Sequence, residues 1–95
     1  MVKEYFIDCE KLRGRITAHR YLAKALELPE YYGNNLDALY DCMTEKSECT
    51  IIFKGAPKLY QKGGYGAEIL AVMRDAAEAN PQLQMAMAEN EDAGS

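Results

Sequence analysis

Asp37 and Asp41 are the residues whose type and spacing most clearly suggest chemistry. Four positions apart in a helix, their carboxylates project from the same face. Such a pair could hold Mg²⁺, serve as general acid and base, or bind a cationic surface. Like charges at this spacing cost a helix about 0.2–0.5 kcal/mol, and Asp41 also meets the unfavourable end of the helix dipole. Stability alone does not favour an aspartate at position 41, so the pair is a candidate functional site.

Catalysis by this pair would need further ligands and a cleft, for which a chain of 95 residues has little room. The three cysteines, Cys9, Cys42 and Cys49, lack a CxxC spacing, and His19 completes no close ligand pair. Reduced thiols are therefore expected rather than a zinc site, and His19 is predicted on the polar surface of a helix. We predict no catalytic residue, no cofactor and no metal. A Mg²⁺-dependent enzyme that uses the aspartate pair is the alternative.

Charge is distributed unevenly along the chain. The net charge is −4, yet residues 27–48 contain six acidic residues and Lys46 as their only base, while residues 1–26 and 49–66 are net positive. A concentrated acidic field attracts basic partners and opposes nucleic-acid binding, which needs a basic surface. A solvated surface that merely keeps the protein soluble would show the same pattern, so charge alone does not separate the two interpretations.

Three short apolar runs predict the strands that must position this pair. They are residues 2–7, 50–53 and 83–88. The second run does not alternate, as expected of a strand in a parallel sheet or one covered on both faces. The third contains Met and Ala, which have little β propensity. Because helical patterns separate the runs, a parallel sheet with right-handed crossovers is expected.

Two helices are predicted between the first two strands. The first follows a polar stretch at residues 8–15, starts at Thr17 as its N-cap and ends ahead of Pro29. Its apolar stripe consists of Ala18, Tyr21, Leu22, Ala25 and Leu26. The second begins at a cap supplied by Asn34 or Asn35. Helical spacing in this second segment is shown by Leu36, Leu39, Tyr40 and Met43.

The third and longest helix is predicted over residues 67–79, and Asn80-Pro81 ends it. Its inward positions are Ile69, Val72, Met73 and Ala76. Residues 54–66 are rich in glycine and predict a loop with one possible helical turn. The glycines at its end lack the lysine and spacing of a phosphate-binding loop. Of the tyrosine pair ahead of the second helix, we predict that Tyr32 is buried and Tyr31 exposed.

Residues Leu28–Cys42 read Leu-Pro-Glu-Tyr-Tyr-Gly-Asn-Asn-Leu-Asp-Ala-Leu-Tyr-Asp-Cys. This segment resembles the signature of the barstar family, Leu-Pro-x-Tyr-Tyr-Gly-x-Asn-Leu-Asp-Ala-Leu-x-Asp. The resemblance extends more loosely over residues 1–88, where the residues Gly66-Ala67-Glu68 and Arg74-Asp75-Ala76 fit the pattern of the last helix. What it implies is an α/β fold with a three-stranded parallel sheet, packed on one side by three to four helices.

The resemblance also implies inhibition of a small basic ribonuclease of the barnase class, whose active site an acidic helix would block. Asp41 matches the carboxylate that takes the place of an RNA phosphate, and Asp37 matches a second acidic contact. Tyr31 matches an aromatic residue that packs on the nuclease's catalytic groups. Asp75 stands where the family carries a Glu that pairs with a nuclease arginine, and it is one methylene shorter.

The remaining matched positions belong to the same implied interface. Gly33 matches a backbone position at the helix entrance and is expected to need a conformation that only glycine adopts easily. The implied partner-binding set also contains Asn35, Ala38, Tyr40 and Thr44. Tyr40 departs from the Trp of the best-known members, and Lys46 replaces another aromatic residue. A positive charge there would repel a basic nuclease.

Residues 1–89 are predicted to form one domain and residues 90–95 a disordered polar tail. The sequence has no apolar run of membrane-spanning length and no apolar signal region at its start, which predicts a cytoplasmic protein. The expected partner is a ribonuclease, without nucleic acid or membrane, and the free protein is expected to be a monomer. The alternative to inhibition is a non-inhibitory interaction module for another basic partner.

Overall fold

The structure, a computed structural model, describes residues 2–55 and 64–88. Its elements, in chain order, are β1 (Lys3–Asp8), a 3₁₀ turn (Cys9–Leu12), α1 (Arg15–Ala25), α2 (Leu36–Thr44), β2 (Cys49–Lys54), α3 (Gly64–Ala79) and β3 (Leu83–Ala88). The three strands and three α-helices of these two ranges confirm the predicted α/β class. Residues 56–63, within the predicted loop, and the predicted tail at 90–95 lie outside the described residues.

The three strands form one parallel sheet in the order β1-β2-β3. Tyr5, Ile51 and Met85 share one row of the register. Burial alternates along β2, where Ile51 and Phe53 are fully buried while Lys54 is exposed. One face of the sheet therefore carries the core, as expected of strands whose side chains alternate between two faces. All three predicted strands are confirmed, including the weakly patterned β3.

The helices bury most of the stripes that their spacing predicted, and α2 packs against α3. Tyr40 is the exception, because this member of the predicted α2 stripe is 37% exposed. The fully buried helical core side chains are Ala18, Leu22, Leu39, Met43, Ile69, Leu70, Met73 and Ala76. Val72 and Leu36 are only half-buried at the edge of this core. Leu70, which the predicted inward face of α3 omitted, is fully buried.

The bounds of α1 differ from the prediction at both ends. Thr17 is not the cap, since the helix begins at Arg15 behind Gly14, whose backbone is extended. The helix ends at Ala25, four residues before Pro29, so the proline is not what ends it. Glu27 adopts a left-handed backbone with φ 55°. Its N–H donates to the carbonyl of Lys24, and the Leu28 N–H donates to that of Ala23 at 2.9 Å. This is the Schellman geometry, with a glutamate in the place that glycine usually occupies.

The predicted polar stretch between β1 and α1 contains structure of its own. Cys9 and Leu12, three residues apart in the 3₁₀ turn, are both buried against the core. Asp8 caps the turn by accepting the Glu10 N–H at 3.0 Å. Residues three apart eclipse one another in a 3₁₀ helix, so two apolar side chains suffice to dock the turn.

The last helix starts earlier than predicted. Gly64–Gly66 belongs to α3, although the glycine content predicted a loop. Gly64 has φ 77°, which glycine adopts without steric cost, and Gly66 is buried. The helix ends at Ala79, as Asn80-Pro81 predicted. Among the helices of the described ranges, none has the length and apolar character needed to cross a membrane.

Candidate partner-binding site

The short helix α2 is held in place from its start and from its inner face. The Asn35 side chain accepts the Ala38 N–H at 2.8 Å and donates to the Gly33 carbonyl at 3.2 Å. Of the two caps that the sequence offered, Asn34 and Asn35, the structure uses Asn35. Such a cap typically contributes about 1 kcal/mol. Leu39 and Met43 are fully buried beneath the helix. The outer face of α2 is therefore presented on a well-anchored element.

Asp37 and Asp41 both lie on that outer face and are exposed. Within the described residues, neither carboxylate has a lysine, arginine or histidine nitrogen within 4.0 Å. Asp37 lies in the first turn, where the helix dipole favours a negative charge. Near Asp41, the Thr44 hydroxyl donates to the backbone carbonyl of Asp41 at 2.9 Å and leaves the carboxylate free of that bond. Both carboxylates can therefore receive external cations.

A shallow cleft opens beside Asp41. It is lined by Tyr31, Asp41, Glu45 and Lys46, among others. Tyr31 is 84% exposed, as predicted, and stands free of the core. An exposed tyrosine next to a carboxylate offers a flat apolar surface with a hydroxyl for contacts to a partner. The structure thus brings Tyr31 and Asp41 to one cleft, although they are ten positions apart in the sequence.

Lys46 does not pair with the acids of this cleft. Its ammonium donates to the Tyr5 hydroxyl at 3.3 Å and lies 4.6 Å from the centre of the Tyr5 ring. The Tyr5 hydroxyl in turn donates to Glu27 at 3.4 Å, and Lys3 forms an ion pair with Glu27 at 2.7 Å. Lys3 is the main cause of the lowered pKa of Glu27, with a smaller effect of Lys46. The Lys46 charge is therefore held by an aromatic ring at the edge of the cleft.

His19 is fully buried, so the prediction of a surface histidine was wrong. Its Nδ1 contacts the Tyr32 hydroxyl at 2.5 Å and its Nε2 the Tyr65 hydroxyl at 2.6 Å. Burial, and then the positive charge of Arg15, lowers the pKa of His19 below its usual value. Tyr32 is 7% exposed, as predicted. The histidine thus ties the segment that carries Tyr31 to α1 and α3.

A neutral histidine has one donor and one acceptor nitrogen, so the two tyrosines must play different roles. Tyr32 is buried, and among the described residues its hydroxyl has no acceptor other than Nδ1. We therefore assign the proton of His19 to Nε2, with Tyr32 donating to Nδ1 and Tyr65 accepting from Nε2. Tyr65 is half-buried and can direct its own proton to water.

Gly33 does not have the special backbone conformation that was predicted. The left-handed residue of this turn is Asn34, with φ 57°. The restriction at Gly33 is steric instead. A Cβ at this position would lie 3.3 Å from the Asn35 amide nitrogen and 3.5 Å from the Ala38 side chain. A larger residue would press on the cap of α2. Asparagine tolerates the left-handed region better than most residues, which explains why Asn34, and not Gly33, adopts this conformation in the turn.

The other matched positions have varied surroundings. Tyr40 is 37% exposed on α2, and Ala38 and Thr44 are half-buried. Asp75 is exposed on α3, the helix that packs against α2. These side chains have accessible surface on two neighbouring helices.

No metal-binding cluster occurs in the described ranges, where no three His, Cys, Asp or Glu side chains stand close enough together to hold an ion. Cys9, Cys42 and Cys49 are free thiols. Burial raises the pKa of Cys9 to about 11. A thiol with a raised pKa is a poor nucleophile and a poor metal ligand near neutral pH.

Comparisons with known proteins agree with this architecture. The family model described as Barstar (barnase inhibitor) matches residues 2–91. A Bacillus subtilis (strain 168) protein named "Putative ribonuclease inhibitor YrdF" is 31% identical over 80 residues, which cover 81% of this chain and 88% of that protein. The family match spans nearly the whole chain, including every strand and α-helix of the described residues. The chain therefore belongs to the Barstar family, a family of inhibitors.

Proposed function

We propose that this protein inhibits a basic ribonuclease of the barnase class by seating the acidic face of α2 in the nuclease's active site. Family membership and the name of the Bacillus relative support the inhibitory class. The observation that carries the proposal is the exposure of Asp37 and Asp41 on one anchored helix, without an ion-pair partner within the described residues.

The chemistry follows from what a ribonuclease must bind. Its active site holds a polyanion and therefore presents arginine, lysine and histidine side chains. A carboxylate on a folded protein satisfies these cations without offering a bond that can be cleaved. Asp41 takes the place of an RNA phosphate, Asp37 meets a second cation, and Tyr31 covers the catalytic groups. Because α2 is anchored beforehand, little conformational entropy is lost on binding.

The remaining residues complete the proposed interface. Asp75 reaches an arginine at its edge from α3, and Tyr40 contributes an aromatic contact from α2. Gly33 and Asn35 keep the start of the helix close to the partner surface. Ala38 and Thr44 fill the space between the charged contacts. Opposite charges on two small faces speed the encounter, while desolvated hydrogen-bonded pairs slow release.

The test is a titration of the protein into several barnase-class nucleases, with RNA cleavage and Kd as readouts. We expect inhibition in a one-to-one complex. Asp41→Ala should raise the Kd at least about 30-fold, because truncating one partner of a buried charge pair costs about 2–5 kcal/mol. Glu4→Ala is the matched control. The substitution removes the same charge, and Glu4 is exposed on the face of the sheet away from the core.

Two results would contradict the proposal. Equal small effects of Asp41→Ala and Glu4→Ala would place the interface elsewhere on the molecule. Absence of inhibition at micromolar concentration across these nucleases would remove the ribonuclease role. Binding without inhibition would favour the alternative of an interaction module.

A further inference from the structure

A groove that contains two arginines lies directly beside the acidic face. We call it the α1 groove. It runs between α1, the start of α2 and the start of α3, and Asp37 forms part of its wall. The side chains that define its character are Arg15, Ile16, Arg20, Asp37 and Glu68. The proposed inhibitory face and this groove therefore share a residue and form one continuous surface.

The two arginines of the α1 groove have no ion-pair partner within the described residues. Both are exposed, and neither has a carboxylate oxygen within 4.0 Å, although Asp37 and Glu68 line the same groove. Ile16 is 71% exposed at the same rim. Two unpaired guanidinium groups around an exposed aliphatic side chain are suited to a partner surface that is acidic and partly apolar.

Stability of the fold does not explain Arg15. It is the first residue of α1, and the first turn of this helix contains no acidic residue. A positive charge at the start of a helix opposes the helix dipole. Gly14, at the N-cap, supplies no side-chain hydrogen bond to offset this. Arg15 also lowers the pKa of His19 and so disfavours its protonated form without pairing with it.

We propose that the α1 groove is the second half of the partner interface, and that the ribonuclease carries a carboxylate-bearing, partly apolar rim beside its basic active site. This inference rests on the proposed function. A nuclease that contacts Asp37 touches the wall of the groove, so Arg15 and Arg20 lie next to the surface that adjoins its active site. Covering Arg15 and Arg20 removes water from both, which is unfavourable unless acceptors on the partner replace it, and carboxylates accept from guanidinium groups most strongly. The pairing then fixes the orientation of the partner and excludes nucleases with a basic rim.

Charge-reversal variants test the proposal, because it predicts weaker binding where net charge alone predicts tighter binding. Arg15→Glu, Arg20→Glu and the control Lys11→Glu each change the net charge by the same amount. Lys11 is exposed in the 3₁₀ turn and does not line the groove. Long-range attraction to a basic nuclease should make the Lys11→Glu complex equal to or tighter than the unmodified one. We expect Arg15→Glu and Arg20→Glu instead to weaken the complex about 10-fold or more, mainly through faster dissociation.

Loss of folding cannot imitate this result at Arg15, because a glutamate at the start of a helix is favoured by the dipole. If both arginine variants bind as tightly as Lys11→Glu, the α1 groove is not part of the interface. If in that case Asp41→Ala still weakens binding to the same nuclease, the inhibitory proposal stands and only the groove proposal falls. If the unmodified protein binds no such nuclease, both fall.

Single-stranded RNA is the other anionic occupant to be tested. A fluorescent oligonucleotide, titrated without nuclease, should not bind at micromolar protein. Binding that Arg15→Glu abolishes would assign the groove to nucleic acid and overturn its assignment to protein carboxylates.

Discussion

Lys46 is the residue whose charge works against a basic partner. It lies at the edge of the cleft that contains Asp41 and Tyr31, and its ammonium contacts the ring and hydroxyl of Tyr5. The cation–π geometry accounts for how a lysine is accommodated where the family resemblance implied an aromatic residue. It also keeps a positive charge near the proposed binding face, where it contributes to selection among nucleases.

Removing this charge should strengthen binding. We expect Lys46→Met, which keeps most of the aliphatic stem, to raise the association rate with a basic nuclease several-fold at low ionic strength, because a repulsive charge at the interface is lost. Stability should change by less than about 1 kcal/mol, the usual contribution of an exposed cation–π contact. Stopped-flow association and thermal unfolding measure the two effects.

The control is Lys54→Met, which removes the same charge from the exposed end of β2. If both variants increase the association rate equally, the effect comes from the net charge of the protein and not from the position of Lys46. Weaker binding by Lys46→Met would instead show that Lys46 pairs with a carboxylate of the partner.

At the scale of elements, His19 connects three parts of the chain that are distant in sequence. It belongs to α1, Tyr32 to the segment ahead of α2, and Tyr65 to α3. Other groups act on this cluster from α1, α2 and α3, namely Arg15 on His19 and Tyr65, Cys42 on Tyr32, and Glu68 on Tyr65. Protonation of Nδ1 would leave the buried Tyr32 hydroxyl proton without an acceptor, at a cost of about 1–3 kcal/mol.

The pH dependence of stability follows from this cluster. The pKa of His19 is lowered in the folded state. The unfolded chain therefore binds more protons than the native state once the pH falls below about 6.5, the usual value for histidine. We expect the stabilising effect of neutral His19 to be fully present above that pH and to be lost as the pH falls. The free energy of unfolding should decrease by up to about 1.4 kcal/mol per pH unit.

Urea unfolding over a pH series measures this slope. His19→Gln is the informative variant, because its amide keeps a donor and an acceptor for the two tyrosine hydroxyls but does not titrate. We expect it to be less stable than the unmodified protein near neutral pH and to lose this part of the pH dependence. Identical slopes for the two proteins would show that His19 does not titrate on unfolding.

At the scale of the whole molecule, charge is distributed unevenly over the surface. The acidic residues of segment 27–48 include the exposed pair on α2, while Arg15 and Arg20 border the neighbouring groove. The field that acts on the proposed basic partner is therefore directional and does not simply follow from the net charge of −4. Such a field acts mainly on the approach of the partner.

Salt should therefore weaken the complex mostly through the association rate. Between about 0.01 and 1 M salt the Debye length shrinks from about 30 to about 3 Å, so we expect association to slow markedly while dissociation changes little. Surface plasmon resonance over a salt series, with Asp41→Ala alongside, measures both rates. A complex that is insensitive to salt would point to an apolar interface on another face.

Local sequence signals were sufficient for much of this protein. Period and composition identified all three strands and most inward positions of the helices, and they limited the cap of α2 to Asn34 or Asn35. The common face of Asp37 and Asp41 follows from helical spacing alone, because residues four apart need no distant contact to align. That these residues bind a partner remains a prediction.

Only the tertiary structure decided the features that depend on distant residues. His19 is buried because tyrosines 13 and 46 positions away satisfy its two nitrogens. Glu27 ends α1 in a conformation that usually selects glycine, and Lys3 and Tyr5 of β1 hold its side chain. The meeting of Asp37 with Arg15 and Arg20 in one groove likewise needs α1 and α2 to be folded together. Whether a polar side chain is buried depends on the hydrogen-bond partners that folding brings to it. The periodicity of the sequence does not predict those partners, because they come from distant segments.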